Sequence, residues 1–499
     1  MAKRKRHAVA LGSAPAKDVE PSKKSKSSVP KHTKASNKVD ASPVANVTET
    51  IQIVAGSYDR VLHGFTATVR GDKVDFADSF LFNAHTSAIR CLAVSPPSAP
   101  TPGQGQKVFL ASGSTDERIN VYNLSAHPPS AKSQDMLAKV APRPIRENRK
   151  NRELGTLLHH ASTVTALSFP TRSKLLSASE DSTIGVTRTR DWSLLSSVKA
   201  PVPKPLGRPS GDTAPFGGTP SGVNDFAVHP SMKVMLSVSK NERCVRLWNL
   251  LTGKKAGVLN FDRRMLSEAG ESRHSTGEGR QVVWGTVNEE DEYAVALDRD
   301  LIVFGMNSVP KCRVMPTGTR TKVHHIEYVK LGDENNTSLL AVSTEDGRIM
   351  LFSTREEDVE APKEDKDGET AKLGVAKFVA YLGGKEGGVD TRIKDFSVLR
   401  SDASSGTLYF VGGSSDGQAR LWKVTTKEFT SALASNKGPS KPTGKLLGSY
   451  ETQNRITCTV AFVMVPRPDG VEDSDDEVDD EDMEAEEAEE KEDDDDSDD

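Results

Sequence analysis

Residues 107–124 read KVFLASGSTDERINVYNL. An apolar run (VFLA) ends in a Ser/Gly turn, Asp116 follows, and a second apolar run closes six positions later on Tyr122. Two short strands joined by a tight polar turn make a hairpin. The same arrangement recurs along the chain as Asp59/Phe65, Asp181/Thr187, Glu242/Trp248, Asp298/Phe304, Asp346/Phe352 and Asp416/Trp422. Successive acids are 57, 65, 61, 56, 48 and 70 residues apart. A repeat of this length, with a Ser/Gly-rich turn before the acid, is the signature of a β-propeller blade carrying insertions. The expected fold is all-β, with seven blades.

Outward from residues 107–124, strands alternate with turns over most of the 499 residues. TSAIRCLAVS precedes them as an inner strand, and STVTALSFP, NDFAVHP, RQVVWGTV, KVHHIEYV and RIKDFSVL open the later blades. β-branched and aromatic residues alternate with polar ones, as in half-buried strands. Blade one, IQIVAGSYDRVLHGFTATV at 51–69, lacks an inner strand before it. A matching segment, RITCTVAFVMV, lies at 455–465. Joining the two would close the ring and leave no long open edge. The expected organisation is therefore a basic tail at 1–50, a propeller at 51–466 and an acidic tail at 467–499. Both tails lack a hydrophobic period and are expected to be disordered, because they cannot bury enough apolar surface to offset the entropy of ordering. Four insertions interrupt the repeat, at 125–152, 200–222, 262–280 and 355–374.

The formal net charge of −5 conceals an asymmetry. Residues 469–499 hold 22 Asp/Glu and one Lys, whereas residues 1–50 hold 11 Lys/Arg and 4 Asp/Glu. The intervening body is then +9 (−5 + 21 − 7). A basic head and body with an acidic tail suggests partners that include RNA or RNA-bound proteins. Cys91, Cys244, Cys312 and Cys458 have no metal-ligand spacing and read as reduced core thiols of an intracellular protein. No apolar run approaches the ~20 residues of a membrane helix, and the N-terminus lacks the apolar stretch of a secretory signal.

The blade acids are expected to be structural. In such turns the carboxylate accepts backbone N–H groups and a His from the start of the blade, which a Ser or Thr bridges to the strand-end ring. Blade two offers His85, Ser112 and Asp116. Blade three offers His160, Ser177 and Asp181, with Thr187 in place of the ring. Trp248, Asp298, Asp346, Asp416 and Trp422 hold equivalent places, and blades four and seven lack an obvious His. No nucleophile elbow, phosphate loop, His-Glu metal motif or Cys/His cluster occurs, so neither catalysis, metal nor cofactor is expected. His159-His160 and His324-His325 are poor ligand pairs, because neighbours on a strand face opposite ways. Lys3, Arg4, Lys5 and Arg6, with Lys23, Lys24 and Lys26, read as a nuclear-import or RNA-contact segment. Arg143, Arg146, Arg149, Lys150 and Arg152 lie together without an aromatic, which favours phosphate contact over base stacking. Ser474 and Ser497 precede acidic residues and suit an acidophilic kinase.

VAGSYDRVLHGF at 54–65, followed by NAHTSAIRCLAV, GSTDERINVYNL, LHHASTVTALSF, LLSASEDSTIGV and SVSKNERCVRLWNLLTGK, resembles the WD-repeat family that assembles the large (60S) ribosomal subunit. Its animal members are known as p21-activated-kinase-interacting proteins. The likeness covers 54–260 well and 281–465 more loosely. It implies a WD40 propeller acting as a non-catalytic nucleolar scaffold in pre-60S assembly and rRNA maturation, with a ribosomal-like protein as partner and pre-ribosomal RNA held by its backbone. Family members also bind and restrain p21-activated kinases, which is the alternative function the resemblance implies. The strongly acidic tail and the long insertions depart from the family pattern.

Overall fold

The computed structural model describes residues 48–129, 148, 150–201, 222–269, 271, 275–316, 321–332, 337–361, 373–435 and 438–467. These form seven blades, each a meander of antiparallel strands running outward from a central channel. From the channel outward, blade two contains Ile89–Val94, Lys107–Ser114, Ile119–Ser125 and Arg152–Leu157. Blade three contains Val164–Thr171, Lys174–Ser179, Thr183–Arg188 and Leu194–Lys199, and blade four Val223–Val228, Val234–Ser239, Cys244–Asn249 and Lys254–Asn260. Blade five contains Gln281–Val287, Glu290–Ala296, Leu301–Gly305 and Pro310–Val314; blade six Val323–Lys330, Ser338–Thr344, Arg348–Ser353 and Lys377–Gly383. Blade seven contains Ile393–Arg400, Thr407–Ser414, Gln418–Thr425 and Lys445–Glu451.

Blade one is assembled from both ends of the described chain. Ile456–Val463 is its inner strand, paired antiparallel to Thr48–Ser57 with Val54 opposite Val460, and Val61–Arg70 and Lys73–Asn83 lie outside. The pairing covers the channel-side edge of Thr48–Ser57.

The core lies between blades. Each of seven apolar clusters straddles one pair of neighbours, so the ring has seven seams. The seam between blades seven and one packs Val411 and Leu421 against Ile51, Phe65 and Ile456. Phe65 stacks on Tyr450 with ring centroids 4.6 Å apart. Burying such side chains contributes about 1.5–3 kcal/mol each, and every seam depends on the ring being closed.

Three segments between the blade strands carry structure that strand periodicity does not reveal. Gly374–Val375 adds to blade five as a fifth strand, parallel to Pro310–Val314. Thr426–Ala434 forms a helix that fully buries Phe429 and largely buries Leu433 in the seam of blades six and seven. The sequence reading assigned no element there. The 262–280 insertion begins with a short helix, Arg263–Glu268, whose first turn is capped by the Asp262 carboxylate accepting from Met265 N–H at 2.6 Å. Among the described residues no helix is long and apolar enough to cross a membrane.

Candidate interaction surface

The blade acids stand at one end of the channel, in the turns between the second and third strand of each blade. In blade two, His85 Nδ1 lies 3.1 Å from Asp116 Oδ2 and its Nε2 2.8 Å from Ser112 Oγ. A carboxylate can only accept, so Nδ1 carries the proton and Nε2 accepts from the Ser112 hydroxyl. Asp116 also accepts from the backbone N–H of Thr86 at 2.9 Å and of Arg118 at 3.2 Å. Burial makes the His85 ring harder to protonate, while the donors around Asp116 outweigh its burial and lower its pKa. Blade three repeats the device. His160 reaches Asp181 at 3.1 Å and Ser177 at 2.8 Å, and Thr183 N–H donates to Asp181 at 2.8 Å. The Asp181 carboxyl is held well below the usual range by these donors against its burial.

Where the His is missing, an Arg supplies the donors. Arg246 forks onto Glu242 and also donates to Ser239, and Trp248 Nε1 donates to Ser237 Oγ at 2.8 Å. Arg420 donates to Asp416 at 2.8 Å and also to Ser414. Asp416 also accepts from Gln418 N–H and the Thr391 hydroxyl, and these donors bring its pKa to about 2 despite burial. In blade six Arg348 Nε donates to Asp346 at 2.7 Å. Asp298 differs, being paired with Arg280 of its own blade at 2.9 Å and with Lys322 of blade six at 3.6 Å. Blades four and seven, which lack the His, thus still have charged donors for their acids. The overlooked signal was an Arg four residues after the acid in blades four and seven and two after it in blade six. Trp422 is buried in the seam of blades six and seven.

Inside this ring of turns, six of the seven inner strands skip one residue in their pairing with the next strand. The skipped residues are Arg90, Thr165, Asn224, His324, Lys394 and Thr457. Such β-bulges re-aim side chains. Here they turn polar groups along the channel wall. Thr457 donates to Ile89 O at 2.7 Å, Thr165 to Val223 O at 2.7 Å, and Asn224 Nδ2 to Gly279 O at 2.9 Å, each reaching the next blade. One step deeper, carboxylates join inner strands in the same way. Asp225 accepts from Phe226 and Val282 N–H, and Asp395 from Phe396 and Thr459 N–H. Burial raises Asp225 to about 7. Burial and then the Asp395 charge raise Glu327 to about 8. These channel carboxylates escaped the sequence reading, because a single Asp or Glu in a strand announces no partner.

The basic candidates are divided. Lys150 lies in an exposed turn, and Arg152 begins the exposed outer strand of blade two, so it does not belong to the loop as expected. Arg143, Arg146 and Arg149 lie outside the described residues, as do Lys3, Arg4, Lys5, Arg6, Lys23, Lys24, Lys26, Ser474 and Ser497. His229 links blades four and five by donating from Nε2 to Asp291 at 3.0 Å, while its Nδ1 accepts from Ser231 N–H at 3.1 Å and lies 2.8 Å from the Ser231 hydroxyl. With the serine amide on the same nitrogen, this Ser-His-Asp set reads as a turn lock joining two blades.

The model of the WD domain, G-beta repeat, matches residues 78–123 and 151–186, the hairpins of blades two and three with their His–Asp turns. The chain carries WD repeats at these positions. Similarity reaches well beyond these two repeats. A "p21-activated protein kinase-interacting protein 1-like" of Danio rerio is 23% identical over 83% of this WD-repeat chain and 81% of its own length. A protein of the same description from Xenopus laevis is 24% identical over 85% and 84%. "Protein MAK11" of Saccharomyces cerevisiae is 27% identical over 76% and 78%. The likeness therefore extends over most of the chain.

Proposed function

We propose that this WD-repeat chain is a non-catalytic scaffold in the biogenesis of the large ribosomal subunit, working in the nucleus and nucleolus on pre-60S particles and rRNA maturation. The observation that carries the reading is likeness over most of the chain to the relatives above, taken with the order of blade motifs from 54 to 465. The charge distribution supports it. The body 51–468 is basic by +9 (54 Lys/Arg against 45 Asp/Glu) and is flanked by segments of +7 and −21. In this reading the propeller holds a ribosomal-like protein. The basic segments, Arg143 to Arg152 among them, contact pre-ribosomal RNA through its phosphates, which position without reading sequence. The acidic segment meets a basic protein.

Affinity purification of the tagged chain, with co-purified protein and RNA both identified, tests the reading. Large-subunit precursors and pre-rRNA are expected, with co-sedimentation on pre-60S particles that RNase reduces. Their absence would end the proposal. A second reading, binding and restraint of a p21-activated kinase, is favoured by the description that the animal relatives carry. Recovery of such a kinase from RNase-treated lysate without pre-60S proteins would select it.

A further inference from the structure

The channel mouth at the acid-turn end gathers cations from five consecutive blades. Arg280 and Lys322 precede the inner strands of blades five and six, Arg392 and Lys394 open that of blade seven, Arg455 precedes that of blade one, and Arg90 is the second residue of that of blade two. Some of this charge is answered. Arg280 and Lys322 share Asp298, and Arg392 reaches Glu345 at 3.5 Å. Asp395 is occupied by His325 at 3.3 Å and by two backbone N–H groups. Arg90 and Lys394 have no carboxylate partner among the described residues, and the guanidinium of Arg455 lies 5.7 Å from the ring centre of Tyr58. Two bulges aim Arg90 and Lys394 at the same opening. The cations lie close enough to oppose one another's charge. Burial and then Arg392, Arg455 and Arg90, against the opposing charge of Glu345, bring Lys394 down to about 8. Burial and then Lys394, Arg392, Lys322 and Arg280 bring His324 to about 4. His324 Nε2 is buried without a hydrogen-bond partner.

We propose that this mouth is a docking site for an acidic peptide segment, and that in the free protein its occupant is residues 469–499 of the same chain. The cations encircle a single opening, which suits one extended chain entering from the face. The bulged positions carry Arg, Thr, Asn, His, Lys and Thr, so the channel wall offers no ring on which a nucleic-acid base would stack, and the one exposed ring named at the rim, Tyr58, lies beside the Arg455 guanidinium. Residues 469–499 bring 22 Asp/Glu against one Lys. The last described residue, Arg467, donates to Pro128 O at 3.3 Å, just past the far end of the blade-one inner strand. Fully extended, the segment beyond it reaches about 100 Å, whereas the inner strand it must pass is only about 26 Å long. A tether of this kind sets an effective concentration on the order of millimolar, so modest charge attraction fills the site. The inference does not depend on the ribosomal reading.

The test uses a fluorescent synthetic peptide of residues 469–499 and, separately, a short single-stranded RNA, followed by anisotropy. The proteins are the full chain and a chain ending at Arg467, which keeps every pairing of the closed ring. The shorter chain is expected to bind the peptide about tenfold or more tightly than the full chain, whose own segment competes. Binding should weaken steeply from about 50 to about 300 mM salt. Arg90→Gln, Lys394→Gln and Arg455→Gln together should abolish peptide binding by the shorter chain, with a melting temperature within about 2 °C of the parent. Should burial of Lys394 make that variant melt low, Arg90→Gln with Arg455→Gln, both exposed, should still weaken binding about fivefold or more. Equal peptide binding by the full and shorter chains, or undiminished binding by the exposed pair variant, overturns the proposal. RNA binding lost in these variants, with no peptide binding by the shorter chain, overturns it in favour of a nucleic-acid site.

Discussion

Glu327 lies on the inner strand of blade six, where Val398 N–H of blade seven is its donor. Burial and then the Asp395 charge disfavour the anion and push its carboxyl up from the ordinary 4.5 to about 8. A group raised in this way stabilises the fold fully below its unfolded value, and that stability is lost as pH rises through the folded value. Glu327→Gln keeps an acceptor for Val398 and cannot ionise. Its melting temperature is expected to fall less than that of the parent between about pH 5 and pH 8, a difference on the order of a few kcal/mol by linkage. Parallel melting curves across that window would show that Glu327 has an ordinary carboxyl. The turn acids have the opposite sign, since Asp116, Asp181 and Asp416 are all lowered and lose stability as pH falls below the usual Asp range. Asp116→Ala and Asp181→Ala each strand a buried His and several N–H groups, at about 1–3 kcal/mol. Denaturant melts should show that loss, with function falling only in proportion to the unfolded fraction. A fully stable variant without function would give the acid a direct role.

At the scale of elements, the inner strand Ile456–Val463 matters most, because it serves the sheet of blade one and two seams at once. Ile456 packs with the cluster shared with blade seven and Cys458 with the cluster shared with blade two. Removing residues 455–499 should unfold or aggregate the ring by exposing the edge of Thr48–Ser57. Removing only 469–499 should leave the thermal midpoint nearly unchanged. Thermal melts with light scattering distinguish the two, and identical melts for both truncations would contradict a closing role for the strand. The turn hairpins were legible because their signal is local, a small-residue turn, an acid and an apolar run. The helix Thr426–Ala434 was not. Phe429 and Leu433 mark one helical face, but a nine-residue pattern among strands yields to strand periodicity until the seam it covers is known.

For the whole molecule, the charge layout separates ends from ring. Replacing Lys3, Arg4, Lys5, Arg6, Lys23, Lys24 and Lys26 with Ala should reduce nuclear accumulation of a fluorescent fusion without altering its melt, because the strand pairings that close the ring begin at Thr48. Unchanged nuclear signal would assign import to the propeller or to a carried partner. Neutralising Lys150 and Arg152 with Arg143, Arg146 and Arg149 should weaken retention on pre-ribosomal particles. The loss should be similar across RNA sequences, because phosphate contacts carry no sequence information. Crosslinking from this segment to RNA checks it.

By itself the sequence determined the repeat, the acid in each turn, the His–Ser–Asp sets of blades two and three and the opposed charges of the two ends. Each of these is written in residues within one blade or one segment, where spacing along the chain is spacing in space. Only the tertiary structure decided which residues from different blades meet. Asp225 and Asp395 bridge inner strands whose residues lie 57 and 64 positions apart. Arg90, Lys394 and Arg455 belong to three different blades and share one opening. Ring closure converts seven similar local units into a channel whose composition no single unit carries, and each bulge turns one residue per blade toward it.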